Sequence, residues 1–449
     1  MSESEGTRAE DAAHASALLS DTSSIRDWLN HPVGRTLFLE ALGADADFEE
    51  GMLLPISTSP LTHLVVLSDG LFPQDALTAL WERAAAESAF IGGASRPLST
   101  AGDAPEWNDI TVYDMNSEPA HATLLPYETT AQALRADITD TPYRLDLNGR
   151  WRFAWSENAA SRVADFFDPA FDDSSWDTIP VPSSWQLHGF DFPIYTNFIY
   201  PWTGANGRDE QPTLLGDYPH APTVYNPVGQ YRRQFEIPAG WEGRRVFVRF
   251  EGVESAFYLW VNGHRVGYRE DSYSPSEFDI TSFLQEGTNQ LSVEVYRWCN
   301  GSYLENQDNT RLSGIFRDVS LFSTPSVHLR DFRIVTALSG DFTSASLQVE
   351  ASVRGYDGSA EGQHYTVTAQ LYDAGAPIPG VAVKMPLTVS PVGSDAVVSS
   401  SVAAGSPRLW SAEAPNLYQL VLQLLDANGV VVETLSQPGR FRETAIIDG

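Results

Sequence analysis

Short segments in which apolar and polar residues alternate recur through the chain after residue 143. Residues 246–250, 347–353 and 365–371 alternate in this way, and Asn262-Gly263 is a two-residue turn typical of β-hairpins. The stretches between these segments lack helical periodicity, so the segments are not strands of βαβ units. The pattern predicts antiparallel sheets that pack face to face in sandwiches.

Strand and turn spacing divides the chain into four predicted parts. Residues 144–323 fit a large jelly-roll sandwich, and residues 324–449 fit an immunoglobulin-like sandwich without the cysteine pair of antibody domains. Residues 1–95 predict a small helical module, whereas residues 96–143, rich in Gly, Pro, Ser and Asp, predict an extended arm. The predicted fold class is mainly β: a jelly-roll β-sandwich followed by an immunoglobulin-like β-sandwich, with a small helical N-terminal module. The apolar positions expected in the helical core are Ile25, Trp28, Leu29, Leu77, Leu80, Trp81 and Ala84.

Charge and cysteine content exclude several classes of partner. The chain carries 59 acidic and 28 basic side chains, a formal net charge of −31, which repels phosphate backbones and anionic lipids. We therefore expect no nucleic-acid partner, and the sequence has no run of 18 apolar residues that would span a membrane. The single cysteine, Cys299, cannot form an internal disulfide, and the acidic start of the chain is unlike a signal peptide. These features predict a cytoplasmic protein.

Two polar and aromatic clusters are the candidate sites of chemistry. Nucleotide-binding glycine loops, zinc-binding motifs and the nucleophile elbow of hydrolases are missing from the sequence. Residues 182–197 and 297–308 are instead rich in Trp, Tyr, Asn, Gln and Asp, which stack on sugar rings and bond to hydroxyl groups. The alternative is that Trp185 and Trp298 fill the sandwich core while the amides bond to loop backbone.

Seven phrases of the sequence carry a family resemblance. They are LNGRWRF (147–153), WQLHG (185–189), PIYTN (193–197), NPVG (226–229), PSEFD (275–279), GIFRDV (314–319) and LWSAEAPNLY (409–418). In this order and number they make residues 105–449 resemble the amino-terminal portion of the large bacterial β-galactosidases of glycoside hydrolase family 2. The resemblance implies the same two sandwiches, the first of a sugar-binding type, and leaves the helical module unexplained.

The resemblance also implies where the catalytic groups lie. In this family the two catalytic glutamates belong to a (β/α)8 barrel that follows the second sandwich, and such a barrel needs at least about 200 residues. This sequence reaches only residue 449, so we expect the barrel to be absent, assign no catalytic residue and expect no hydrolase activity from the chain alone. By motif position, Asn197 and Asp308 resemble residues that line the galactose pocket, and Asp308 also resembles a sodium ligand.

A magnesium site is a further implication of the resemblance. Glu106, Asp109, Glu270 and Asn300 match oxygen-ligand positions, although each differs in residue type from the usual family pattern. The arm is similar to a segment that braces subunits together, which implies a homo-oligomer for the complete enzyme. No organic cofactor is implied.

The leading interpretation is the non-catalytic front portion of a β-galactosidase, which would act on β-galactosides such as lactose once a separate barrel-containing chain joins it. One alternative is a standalone carbohydrate-binding protein, which predicts galactoside affinity without a partner. Another is a truncated, inactive gene product. An apolar patch where the barrel should pack favours either a split enzyme or a truncation, and a polar surface favours the standalone binder.

Overall fold

The structure is a computed structural model, and it describes the helical module only in pieces. The described residues are 28–29, 32–41, 76–77, 79–80, 83–84, 105–196, 200–202, 220–305 and 307–444. Helix α1 spans Pro32–Ala41. Trp28, Leu29, Leu77, Leu80 and Ala84 are buried, as their helical spacing predicts, whereas Ile25 and Trp81 lie outside the described side chains. None of the helices in this part of the chain has the length and apolar character needed to cross a membrane.

Twenty-two strands, β1 to β22, follow helix α1 in the described part of the chain. Their bounds are Asp114–Met115, Arg144–Asp146, Gly149–Ser156, Asp177–Val181, Ile194–Thr196, Val228–Glu236, Arg245–Phe250, Val253–Glu254, Ala256–Val261, His264–Arg269, Ser276–Asp279, Thr288–Tyr296, Asn309–Arg311, Gly314–Ile315, Val319–Thr324, Val327–Leu338, Ala345–Gly355, His364–Asp373, Ala376–Thr388, Asp395–Gly405, Tyr418–Leu425 and Val431–Gly439. Helix α2 spans Thr130–Arg135, and short 3-10 helices cover Glu106–Asn108, Trp185–His188, Thr281–Phe283, Asn300–Tyr303 and Gly358–Ala360.

The first sandwich packs a seven-stranded sheet, in the order β1-β10-β9-β12-β6-β3-β4, against a four-stranded sheet, in the order β11-β7-β15-β2. Neighbouring strands are antiparallel, and Asn262 and Gly263 take the positive φ angles of 52° and 83° that a tight hairpin turn requires. Buried aromatic and branched side chains, among them Trp151, Phe250 and Val293, fill the space between the sheets. The predicted jelly-roll sandwich is confirmed.

The second sandwich packs a three-stranded sheet, β16-β17-β20, against a four-stranded sheet, β19-β18-β21-β22. Along β17 every second residue is buried, because successive side chains of a strand point to opposite faces. Val349, Val353, Val367 and Leu422 meet in the core between the sheets. The mainly β fold class, with an immunoglobulin-like second sandwich, is confirmed.

The segment before β2 has more structure than an extended arm. Its strand β1 extends the seven-stranded sheet by pairing with β10. Helix α2 begins with a capping box in which Thr129 and Gln132 satisfy each other's backbone N–H groups, and its Ala133 packs with Tyr127 and Val421 against the second sandwich. The composition-based prediction missed this helix, although the Thr-x-x-Gln pattern was present in the sequence.

Buried charges hold this arm against both sandwiches. We define the arm junction as Glu118, His121, Glu277, His328 and Arg330, which line one small cavity with aromatic neighbours. His121 Nε2 lies 2.7 Å from Glu277 Oε2 in β11, and Arg249 Nη1 donates to Glu277 Oε1 at 2.5 Å. Arg330 in β16 donates to the Pro119 carbonyl. The arm thus bonds to the first sandwich and to the second within a few residues.

His121 is set to carry a proton in the folded state. Its Nδ1 lies 2.7 Å from the Ala122 carbonyl and its Nε2 faces the Glu277 carboxylate. Both partners are acceptors, so both ring nitrogens must donate. Burial opposes the charged form, but the hydrogen bond to Glu277 and its negative charge raise the pKa of His121 above 6.5. Burial also opposes ionisation of Glu277, yet His121 and Arg249 lower the pKa of Glu277 below 4.5.

We expect stability to fall in mild alkali because of this histidine. A histidine whose pKa is raised on folding stabilises the folded state fully at pH values below its unfolded-state pKa of 6.5. This contribution is lost as the pH rises through its folded-state pKa. Between pH 6 and pH 9, the free energy of unfolding measured with urea should fall by about 1.5 kcal/mol in the wild-type chain. The variant His121→Gln should not show this fall. The exposed His364, bonded to Thr388, provides the control variant His364→Gln. Parallel pH profiles for the wild type and His121→Gln would contradict the prediction.

Candidate functional site

A two-stranded ribbon brings together the two motif segments that the sequence singles out. Strand β5, from PIYTN, pairs antiparallel with β13, which follows Asp308. The register pairs Thr196 with Asn309, Thr310 with Tyr195 and Arg311 with Ile194. Alternation places Ile194 and Arg311 in the interior and Tyr195 and Thr310 in solvent. We call this pair the β5–β13 ribbon.

The side chain of Asp308 is exposed at the end of this ribbon. The Tyr195 hydroxyl donates to Asp308 Oδ1 at 2.8 Å, and this bond together with the carboxylate charge raises the pKa of Tyr195 above 10. Asn197, the second predicted sugar-binding residue, lies outside the described residues and follows Thr196 directly in the sequence. The carboxylate of Asp308 is a hard oxygen donor that suits sodium, and sodium binding by Asp308 stays a prediction.

Tyr195 is a further candidate site residue, which the sequence did not single out. It belongs to the PIYTN phrase, but its contact with Asp308, 113 residues further along the sequence, depends on the pairing of β5 with β13. Its ring is 62% exposed, and Leu187 and Leu304 in the same two motif clusters are 70% and 85% exposed. Large side chains left in solvent on the motif loops are typical of a surface that contacts another molecule.

The tryptophans of the two motif clusters belong to the core. Trp185 is fully buried beside Phe153, and Trp298 packs against Trp202 with ring centroids 5.2 Å apart. The Gln186 Oε1 atom accepts from the Ser313 backbone N–H at 3.0 Å. For these residues the alternative interpretation, core packing with the amide bonded to backbone, is confirmed.

The space behind the ribbon is closed and charged. Glu254, Glu305, Arg297 and Arg311 line a cavity of about 10 Å³, which has room for about one water molecule and none for a sugar ring. Burial and the neighbouring charge of Glu305 raise the pKa of Glu254 to about 8. Arg297 pairs with Asp191, both with fully buried side chains. This cavity is therefore too small to be the sugar site, and of the groups named only Arg311 belongs to the ribbon.

The predicted magnesium ligands make other bonds. Glu106 accepts from Tyr258 at 2.9 Å and from Arg265 at 2.6 Å; burial opposes its ionisation, but Arg265 and Tyr258 lower the pKa of Glu106. Asp109 accepts from the hydroxyl and backbone N–H of Thr111, which lower the pKa of Asp109.

The other two predicted ligands lie on two segments that pack against each other. Glu270 accepts from Tyr268 at 2.6 Å, and burial raises the pKa of Glu270 to about 7. Asn300 begins a 3-10 helix, and its neighbour Gly301 lies so close that an added Cβ would sit 2.4 Å from Glu270 Oε2. In the described part of the chain, no three His, Cys, Asp or Glu side chains are grouped to hold a metal ion. The three predicted carboxylates therefore do not fit a shared ligand set here, and magnesium binding stays a prediction.

Two profiles of known families match the two sandwiches. Residues 145–325 match the sugar binding domain of glycosyl hydrolases family 2, and residues 327–442 match a second profile described as glycosyl hydrolases family 2. The chain belongs to glycosyl hydrolase family 2. The family match covers every strand from β3 to β22 and includes the β5–β13 ribbon.

Relatives within family 2 carry the name β-galactosidase. The β-galactosidase of Priestia megaterium is 46% identical over 347 residues, which are 77% of this chain and 32% of that enzyme. The β-galactosidase of Vibrio cholerae is 39% identical over 348 residues, again 77% of this chain and 32% of that enzyme. The chain thus spans about one third of the length of these relatives.

Solved family 2 structures share the fold. A Bacteroides uniformis β-glucuronidase superposes with a TM-score of 0.53 and 24% identity, over 67% of this chain and 32% of that chain. A family 2 member from Bacteroides cellulosilyticus superposes with a TM-score of 0.50 and 21% identity, over 68% of this chain and 36% of that chain. At these identities the similarity establishes the arrangement of the sandwiches.

Proposed function

We propose that this chain is the non-catalytic, sugar-recognising part of a β-galactosidase that hydrolyses terminal β-D-galactosides such as lactose. Asp308 and Asn197 form one wall of the galactose pocket, and the catalytic glutamates come from the rest of the enzyme. The observation that carries the proposal is the exposed Asp308 carboxylate, oriented by Tyr195 at the end of the β5–β13 ribbon. The relatives named β-galactosidase support the choice of galactoside.

The chemistry of this wall is recognition rather than proton transfer. An ionised carboxylate accepts strong hydrogen bonds from sugar hydroxyl groups, and Tyr195 occupies Oδ1 from one side so that the carboxylate orientation is fixed. One wall buries little of a sugar, and affinity therefore requires the facing part of the enzyme. By orienting the galactose ring, this wall lowers the entropic part of the activation barrier for hydrolysis by the catalytic groups on the facing part of the enzyme.

Cations, assembly and location complete the proposal. We assign sodium to Asp308, place the complete enzyme in the cytoplasm and expect it to be a homo-oligomer. The buried thiol of Cys299 supports a reducing compartment, since it needs no disulfide partner. The proposal requires a catalytic barrel, supplied either by the same polypeptide or by a separate barrel-containing chain.

Complementation tests the proposal directly. The purified chain is assayed with a chromogenic β-galactoside alone, and then with the portion of the Priestia megaterium enzyme that it does not match. We expect activity only in the mixture. Activity of the chain alone would contradict the assignment of catalysis to the partner. Lactose affinity of the chain alone, measured by calorimetry, would favour the standalone binder, and silence in every assay would favour an inactive product.

We expect Asp308→Asn to weaken galactoside binding in the complemented enzyme. Loss of a charged acceptor costs about 1.5–3 kcal/mol, so KM should rise roughly 10- to 100-fold. Tyr195→Phe removes only the orienting hydroxyl, and its effect on KM should be smaller. Asp172→Asn is the matched control, because Asp172 is also exposed and accepts a backbone N–H on another loop of the same sandwich. Equal KM values for Asp308→Asn and Asp172→Asn would exclude Asp308 from the pocket.

A further inference from the structure

The loop that presents Asp308 is held from within by a buried arginine. Arg311 lies in β13, is 3% exposed, and donates from Nη1 to the Glu305 carbonyl at 2.9 Å and from Nη2 to the Gln307 carbonyl. The Asn309 backbone N–H also donates to the Gln307 carbonyl, at 2.9 Å. One guanidinium group thereby holds two backbone carbonyls that precede Asp308, and the Asn309 amide that follows Asp308 bonds to the second of them.

A second anchor fixes the same loop to the first sandwich. The Glu305 carboxylate accepts from the backbone N–H of Ser272 at 2.7 Å and from the Ser272 hydroxyl at 2.6 Å. Ser272 is fully buried, and it follows strand β10. The backbone that leads into Asp308 is thus held by Arg311 of β13 and by the Glu305 carboxylate bonded to Ser272, which leaves Asp308 little freedom to move.

Charge compensation explains why this position holds an arginine. Arg311 shares its small cavity with Glu254 and Glu305, and its charge favours the ionised form of both carboxyl groups. A guanidinium group presents several donors in a rigid plane, whereas a lysine ammonium group is a point charge on a flexible stem. Two carbonyls in different directions therefore suit Arg at this site and suit Lys less well.

We propose that Arg311 is a positioning residue for sugar recognition: by bonding to the Glu305 and Gln307 carbonyls, it sets the place of the Asp308 carboxylate beside Tyr195. This inference rests on the proposed function, since it assumes that Asp308 contacts the galactose. Arg311 itself is buried behind the ribbon, where a sugar bound at Asp308 would not reach it. It acts on the sugar through Asp308.

The test combines kinetics with hydrogen exchange of the full chain. In the complemented enzyme, Arg311→Gln should raise KM about tenfold with less than a twofold change in kcat, and Arg311→Lys should raise KM less. The double variant Arg311→Gln/Asp308→Asn should be no worse than Asp308→Asn alone, because both changes act on one contact. In the uncomplemented chain, the Asn309 and Ser272 amides should exchange at least tenfold faster in Arg311→Gln.

Arg232→Gln is the matched control. Arg232 is also 3% exposed and donates to two loop carbonyls, those of Phe166 and Asp168, away from the ribbon. The variant Arg232→Gln should leave KM and the exchange rates of the Asn309 and Ser272 amides unchanged. If Arg311→Gln behaves like Arg232→Gln in both measurements, the positioning role is wrong even when Asp308→Asn raises KM. If Asp308→Asn leaves KM unchanged, the proposed function fails, and the exchange rates alone decide whether Arg311 holds the loop.

Discussion

Glu277→Ala should lower the free energy of unfolding by about 3–5 kcal/mol. The carboxylate of Glu277 is 7% exposed and accepts from His121 and Arg249, so its removal leaves two partly buried donors without their shared acceptor, of which only Arg249 keeps another carboxylate partner, Glu251. The arm should also loosen, since His121 is one of its contacts with the first sandwich. Guanidinium chloride unfolding followed by tryptophan fluorescence measures the loss, and limited proteolysis between residues 105 and 143 reports the arm.

Glu251→Ala is the control for this variant. Glu251 pairs with the same Arg249 at 2.6 Å, but its side chain is 37% exposed, and exposed ion pairs contribute less than about 1 kcal/mol. The prediction requires a clear difference between the two variants. Glu277→Ala with a stability within 1 kcal/mol of Glu251→Ala would show that the arm junction contributes little.

Gly229→Ala should destabilise the first sandwich by about 3 kcal/mol. Gly229 lies in β6 between Val295 and Trp155 on the neighbouring strands. An added Cβ would sit 2.6 Å from the ring of Trp185 and 2.9 Å from that of Phe153. Both rings are buried, so neither has space to retreat. Thermal unfolding by calorimetry measures the loss.

A second glycine separates this steric effect from the general effect of replacing glycine. Gly340 lies in the turn between β16 and β17, has no positive φ angle, and has no atom within 4 Å of an added Cβ. Gly340→Ala should therefore be neutral or slightly stabilising, because alanine restricts the unfolded chain. Similar losses in the two variants would mean that crowding at Trp185 is not the cause.

Residues of the sequence motifs that carry the family resemblance have structural roles that the sequence alone does not show. Gly229 of NPVG is the glycine that admits the ring of Trp185 of WQLHG, and Glu277 of PSEFD is the acceptor at the arm junction. Alternating segments were enough to predict the sandwiches, because burial on one face of a strand is a local property of the sequence. Which segments meet across the fold is not local, and the sequence alone left it open.

For the candidate site, too, part could be predicted from the sequence and part required the structure. Motif position predicted Asp308 as a sugar-binding residue, and the structure places its side chain in solvent at the end of the ribbon. The partner Tyr195 and the supporting Arg311 were not predicted, because their roles depend on a pairing between β5 and β13. The arm was predicted as extended since its composition is that of a loop, yet Thr129 and Gln132 cap a helix within it.

The arm makes contacts with residues far along the sequence, and these contacts limit when the arm can reach its native position. Thr130 in helix α2 accepts from Gln423 in β21, a residue 293 positions further along the sequence. During synthesis the arm emerges before either sandwich, and its binding surface on the second sandwich is complete only after β21 and β22 have been made. Contacts of such long separation close late, because the loop between them must first be ordered. Helix α2, although made before both sandwiches, can therefore complete its contacts with the second sandwich only after β21 and β22 have been made.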